Sequence, residues 1–164
     1  CDLSLIGAEL LALQVNDTVK VRLTLARDGR FDIEVGDIPS QPLPQPIRLT
    51  PEPVDTQQPW LYHKTTCREV YQQASSQVPV DCEAVLVSRE GCVTESVIAN
   101  IVYQLDGQLY TPPVDDGLLP GILRGAEVAA GNVLERSLPV SQVDEVERWF
   151  LLNTLRGWRD ASLG

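Results

Sequence analysis

Apolar residues change their spacing several times along the chain, and each change predicts an element. Leu3, Ile6, Leu10 and Leu13 recur every three or four positions, the period of a helix with one apolar stripe. Asp2 or Ser4 suits its cap, and Asn16 and Asp17 end it. From Val19 the period drops to two. Val19, Val21, Leu23 and Leu25 alternate with Lys20, Arg22 and Thr24, which predicts a half-buried strand. Asp28 and Gly29 suit a hairpin turn, with Phe31 to Val35 as the returning partner. Residues 37–59 hold seven of the twelve prolines and predict an extended connection, with Ile47 to Thr50 as a short strand inside it. Lys64 to Ala74 predicts a helix capped by Thr65 or Thr66, with Val70 and Tyr71 inward. Apolar runs then predict strands at 83–88, 93–96 and 97–105. Asp106 and Gly107 turn the last of these back into 108–111. Leu118 opens a helix running to about Gly131. A strand over 134–140, a helical turn over 143–147, a strand over 148–153 and a turn over 154–157 lead to a final segment from Trp158. Strands and hairpins with interspersed helices, and no regular alternation, predict an α+β fold built on a barrel-like mixed sheet.

Composition narrows the class. At 164 residues, with 43% hydrophobic and 22% charged positions, the chain can bury a core of its own. Its net charge of −10 argues against a nucleic-acid groove or an anionic membrane surface, and no apolar run is long enough to span a bilayer. Four cysteines without a Cys-x-x-Cys pair, beside a single histidine, do not make a metal site. Free thiols in a reducing cytoplasm fit them better than disulfides do. The chain lacks methionine and begins at Cys1, which reads as a piece of something longer.

Chemistry concentrates at four places. Lys64 is one of only two lysines, set among aromatic residues with His63 beside it. An amine can form a Schiff base and a guanidinium cannot. Glu95 lies between two apolar strands, where a carboxylate is costly to bury without a partner. Pro120 and Gly121 open a helix whose first N–H groups suit a phosphate. Asn153 and Thr154 place an amide and a hydroxyl in a turn after a strand. Each has an ordinary reading taken alone: a surface lysine, a surface ion pair, a helix start, a turn.

In this order the segments HKTTCR (63–68) with Tyr71, VTESVIANI (93–101), TPP (111–113), GLLPGILR (117–124) and LNTLRGW (152–158) resemble the class IV aminotransferase-like enzymes that use pyridoxal phosphate. The likeness spans about residues 19–160. It runs nearest to aminodeoxychorismate lyase, in the form fused behind aminodeoxychorismate synthase component I, ahead of branched-chain and D-amino-acid aminotransferases. The resemblance implies fold type IV and the cofactor pyridoxal 5'-phosphate. It implies Lys64 as the Schiff-base and proton-carrying residue and Glu95 as the partner of the ring nitrogen. Ile122, Leu123 and Thr154 become phosphate contacts, and Arg68 a cofactor-side residue. Asn100 supports Glu95, and Arg22 and Asn153 face the substrate. It implies a homodimer with a small-molecule substrate, with 1–36 as the remnant of a small N-terminal domain, 37–59 as the connection and 60–164 as the large cofactor domain. Leu123 stands where transaminases often carry threonine. A transaminase and a non-catalytic remnant of the fold are the alternatives.

Overall fold

The computed structural model describes residues 2–164. The chain divides into two compact units, one through Gln41 and one from Pro42 to Gly164. The second half of the proline-rich stretch is therefore built into the larger unit.

The first unit holds helix α1 (Leu3–Ala12) and a hairpin of β1 (Lys20–Leu25) and β2 (Phe31–Gly36). The Asp2 carboxylate caps α1 by accepting from the N–H groups of Ser4 and Leu5. The hairpin pairs Leu25 with Phe31, as the Asp28-Gly29 turn predicts. Val21, Leu23 and Leu25 stay 41%, 42% and 53% exposed, so among the described residues the strand expected to be half-buried has no covering layer in its own unit.

The larger unit is an α+β domain whose mixed sheet closes on itself. Its strands are β3 (Gln45–Leu49), β4 (Glu83–Val87), β5 (Cys92–Ser96), β6 (Asn100–Leu105), β7 (Gln108–Thr111), β8 (Leu134–Glu135), β9 (Leu138–Pro139), β10 (Arg148–Asn153) and β11 (Gly157–Leu163). The order β6-β10-β11-β3-β4-β5 returns to β6 through a pairing of β5 with β6, while β7 and β8 extend from one side of this ring and β9 from the other. β3 runs parallel to β4 and β11, and the other ring pairs are antiparallel. Inside the ring, Ile47, Val85, Val93, Ile101, Tyr103 and Leu151 form a continuous core. On the outer face of β4, Ala84 and Leu86 pack against Leu61, Tyr71 and Ala74. That layer is the crossover that two parallel strands require. It carries both the Lys64 loop and helix α2 (Glu69–Ser76). Helix α3 (Ile122–Ala129) lies on the outer face of β10, with Leu123 against Val102, Phe150 and Leu152.

Several boundaries differ from those the pattern predicts. α2 begins at Glu69, and Lys64 sits in irregular chain before it. The Thr65 hydroxyl accepts from the Cys67 N–H, a local turn that competes with helix. β6 begins at Asn100, because the Ser96 hydroxyl accepts from the N–H groups of Ile98 and Ala99 and folds 96–99 into a turn. α3 begins at Ile122, since Pro120 disfavours helix at the residue before it and Gly121 is extended. The expected strand over 134–140 splits into β8 and β9, which join opposite sides of the ring. The helical turn beyond it comes earlier than expected, as a 3₁₀ stretch over Val140–Glu145. The Asp106-Gly107 hairpin forms with both residues at positive φ, 49° and 75°, the two-residue turn that matches strand twist.

Leu151 lies in the ring core, and its truncation leaves a cavity that the closed sheet cannot collapse. Leu151→Ala is expected to cost about 2–5 kcal/mol in urea unfolding. Leu11→Ala, at a position 89% exposed, is expected to change stability by less than about 0.5 kcal/mol.

Candidate functional site

Glu95 is the centre of the arrangement. It points outward from β5 yet is only 4% exposed, because α2 and the chain before α3 cover it. The Tyr71 hydroxyl donates to one carboxyl oxygen at 2.7 Å. The Leu119 backbone N–H donates as well, and the Asn100 amide lies 3.5 Å from the other oxygen. Burial pushes the carboxyl up to about 7, against the lowering effect of Tyr71, Leu119, Arg68 and Lys64 in that order. Burial also raises the Tyr71 phenol, and the neighbouring Glu95 charge adds to it.

Lys64 is exposed in its loop, and its ammonium acts favourably on the Glu95 carboxylate. Arg68 stacks its guanidinium 4.2 Å over the Tyr71 ring and donates to the Val97 carbonyl at 2.6 Å. Lys64, Arg68, Tyr71 and Glu95 thus form one cluster, three from the crossover and one from the sheet.

The N-terminus of α3 meets the same cluster. Asn100 donates to the Leu119 carbonyl at 2.8 Å, holding the chain just before Gly121 against Glu95. A Cβ on Gly121 would collide with the Asn100 side-chain oxygen, so any larger residue must move the Asn100 amide. No side chain caps the helix, so the first N–H groups, those of Ile122 and Leu123, keep their polarity available. Ile122 itself is 81% exposed. The buried Arg124 guanidinium ties the helix to the Pro112 carbonyl and to Glu135, each at 2.6 Å. Leu123 packs on Leu152, two residues before Thr154. Thr154 is exposed in the β10–β11 turn. Asn153 is hydrogen-bonded within the fold. Its amide donates to the Ile98 carbonyl and its oxygen accepts from the Arg156 N–H. Arg22 belongs to the first unit, where it pairs with Glu34 across the hairpin at 3.2 Å.

The pattern alone left Tyr71 as an inward helix residue. Its contact with Glu95 spans 24 positions and has no local signal, although Arg68 and Tyr71, three apart at the start of α2, share one side of the helix. Chemically, the cluster offers an amine, a buried carboxyl close to neutrality and an uncapped helix start. That set fits a ligand bearing an electrophilic carbon, a protonable ring nitrogen and a phosphate.

A carboxyl raised by folding stabilises the fold while protonated. Its cost is absent below about pH 4.5, grows as pH rises towards 7 and is complete above it. Glu95→Gln should therefore gain stability over the unsubstituted chain between pH 5 and pH 8, by on the order of 3 kcal/mol in urea unfolding. A difference that stays constant over that range would count against the buried carboxyl. Gly121→Ala must displace the Asn100 amide and should cost about 1–3 kcal/mol in the same measurement.

Residues 8–163 match the family model described as amino-transferase class IV. A Schizosaccharomyces pombe protein provisionally named aminodeoxychorismate lyase is 30% identical over 156 residues, covering 88% of this chain and 67% of the relative. Among solved structures, a provisional amino-acid aminotransferase from Mesorhizobium loti superposes with a TM-score of 0.86 at 29% identity, covering 98% of this chain and 79% of that one. A provisional 4-amino-4-deoxychorismate lyase from Legionella pneumophila superposes with a TM-score of 0.74 at 26% identity, covering 81% of this chain and 52% of that one. With the closed mixed sheet and the ordered motifs within it, these matches make the chain a member of the class IV aminotransferase family.

Proposed function

We propose that this chain is the cofactor-binding part of a pyridoxal-phosphate-dependent lyase, which turns 4-amino-4-deoxychorismate into 4-aminobenzoate and pyruvate, a folate precursor step in the cytoplasm. The observation that carries the cofactor reading is the Glu95 carboxyl, buried, near neutrality and flanked by an amine and an uncapped helix start. Pyridoxal phosphate, when bound, supplies an electron sink for a carbanion formed on the substrate. Lys64 would hold its aldehyde carbon and take the proton from C4 of the substrate. Loss of that proton, with cleavage of the ether C–O bond, releases pyruvate and leaves an aromatic ring. Glu95 would keep the ring nitrogen protonated, with Tyr71 and Asn100 holding the carboxyl in place. The Ile122 and Leu123 N–H groups and the Thr154 hydroxyl would take the phosphate, and Arg68 would stand on the cofactor side. Asn153 and Arg22 belong to the substrate side of this reading. The working enzyme is a homodimer in this reading, alone or fused to an aminodeoxychorismate synthase.

The Schizosaccharomyces pombe relative favours the lyase. The Mesorhizobium loti structure supports a second reading, an aminotransferase, in which the same groups would hold the cofactor and Lys64 would carry the substrate's proton.

Borohydride treatment after addition of pyridoxal phosphate is expected to fix the cofactor on Lys64. With Lys20 the only other lysine, peptide mapping decides the matter. Label on Lys20 alone, or no label at millimolar cofactor, would mean a non-catalytic relative of the fold. Release of pyruvate from aminodeoxychorismate without added keto acid supports the lyase. Keto-acid-dependent amino transfer supports the second reading.

A further inference from the structure

The turn between β5 and β6 bonds both Arg68 and Asn153. Every backbone polar group of residues 97–99 has a partner. The Val97 N–H donates to the Ala84 carbonyl, and the Val97 carbonyl accepts from Arg68. The Ile98 N–H donates to the Glu83 carboxylate at 3.1 Å, and the Ile98 carbonyl accepts from Asn153 at 3.2 Å. The Ala99 N–H donates to the Ser96 hydroxyl, and the Ala99 carbonyl accepts from the Ser96 N–H. One peptide segment therefore sets both Arg68, on the crossover, and Asn153, which precedes Thr154.

Glu83 stands beneath this turn. Its carboxylate accepts from Ile98 and from the Ser96 hydroxyl, and it faces Arg159 and Arg156, whose positive charges favour its ionised form against burial. We propose that Glu83 is a positioning residue: by anchoring the Ile98 N–H it sets the 97–99 turn, and through the two outward carbonyls of that turn it aims Arg68 and the Asn153-Thr154 turn at the cofactor. The inference rests on the reading of Arg68 and Thr154 as cofactor contacts, and it adds a residue that touches neither cofactor nor substrate.

Two measurements separate it from general structural support. The first is hydrogen exchange in the cofactor-free chain. The second is the preference for pyridoxal phosphate over pyridoxal, which lacks the phosphate that Thr154 and α3 would hold. Glu83→Ala is expected to lose protection over 97–99 and 153–156 while β6 and β10 stay protected, and to lose about tenfold in that preference. Glu83→Gln keeps an oxygen for the Ile98 N–H, so it should keep the protection and stay within about threefold of the unsubstituted chain. Glu83→Asp keeps the charge facing the two arginines but withdraws the carboxylate by one methylene. It should show both losses, and it decides the matter if Glu83→Ala does not fold. Unchanged protection over 97–99 and an unchanged preference in Glu83→Asp would overturn the proposal. If the unsubstituted chain binds neither aldehyde, the cofactor reading fails by itself, and the exchange data alone then uphold or overturn the anchoring of the turn.

Discussion

A carboxyl group leaves water at a cost that its surroundings must offset or that protonation must remove. Glu95 shows both responses. Its shift to about 7 records how far burial outweighs its partners, and the partners record which elements had to be brought there. Tyr71 comes from α2, Asn100 from the next strand and the Leu119 N–H from the chain before α3. Removing the carboxyl would leave the Tyr71 hydroxyl and the Leu119 N–H buried without an acceptor. The covering layer of α2 and the chain before α3 thus each bring a hydrogen-bond donor to one side chain.

The closed ring makes the network possible. Six strands returning on themselves leave no free edge in the ring and give each strand an inner and an outer face. On β10, Trp149 and Leu151 point in and Phe150 and Leu152 point out. The outward pair receives α3 through Leu123, and the strand then ends in the Asn153-Thr154 turn. On β4, Val85 points in while Ala84 and Leu86 receive the crossover. The Lys64 loop and the start of α3 therefore meet near the β5–β6 junction because the outer faces of β4 and β10 receive the elements that carry them.

Much of this was legible in the chain, and the parts that were not share a cause. Strands with a clear period of two, the Asp106-Gly107 hairpin and the Pro120-Gly121 helix start depend on local backbone preference, which neighbouring residues carry. The placement of Lys64 outside α2 depends on the Thr65 hydroxyl bonding its own backbone, and the 96–99 turn depends on Ser96 doing the same. Both compete with a regular element that the apolar pattern favours equally well. The pairing of Tyr71 with Glu95 and the place of Glu83 under the turn depend on the ring being closed, which no window of sequence contains. The exposed apolar face of β1 is the converse case. Its alternation is clear, but burial is a property of what packs on a strand and not of the strand itself.

Net charge illustrates the same division between global and local properties. At −10 the chain repels anions at a distance, yet the groups gathered around the proposed cofactor site include Lys64 and Arg68, and Arg156 and Arg159 face Glu83 nearby. Charges separated by more than about 8 Å are largely screened at physiological ionic strength. An anionic ligand at the start of α3 therefore responds to the helix N–H groups and to these nearby cations far more than to the acidic residues spread over the rest of the surface. The buried carboxylates work in the same direction. Glu95 draws Lys64 and Arg68 electrostatically, and Glu83, which bonds the 97–99 turn, does the same for Arg156 and Arg159. On the proposed reading, an acidic protein would hold a phosphate-bearing cofactor in this way because its buried carboxylates gather cations locally.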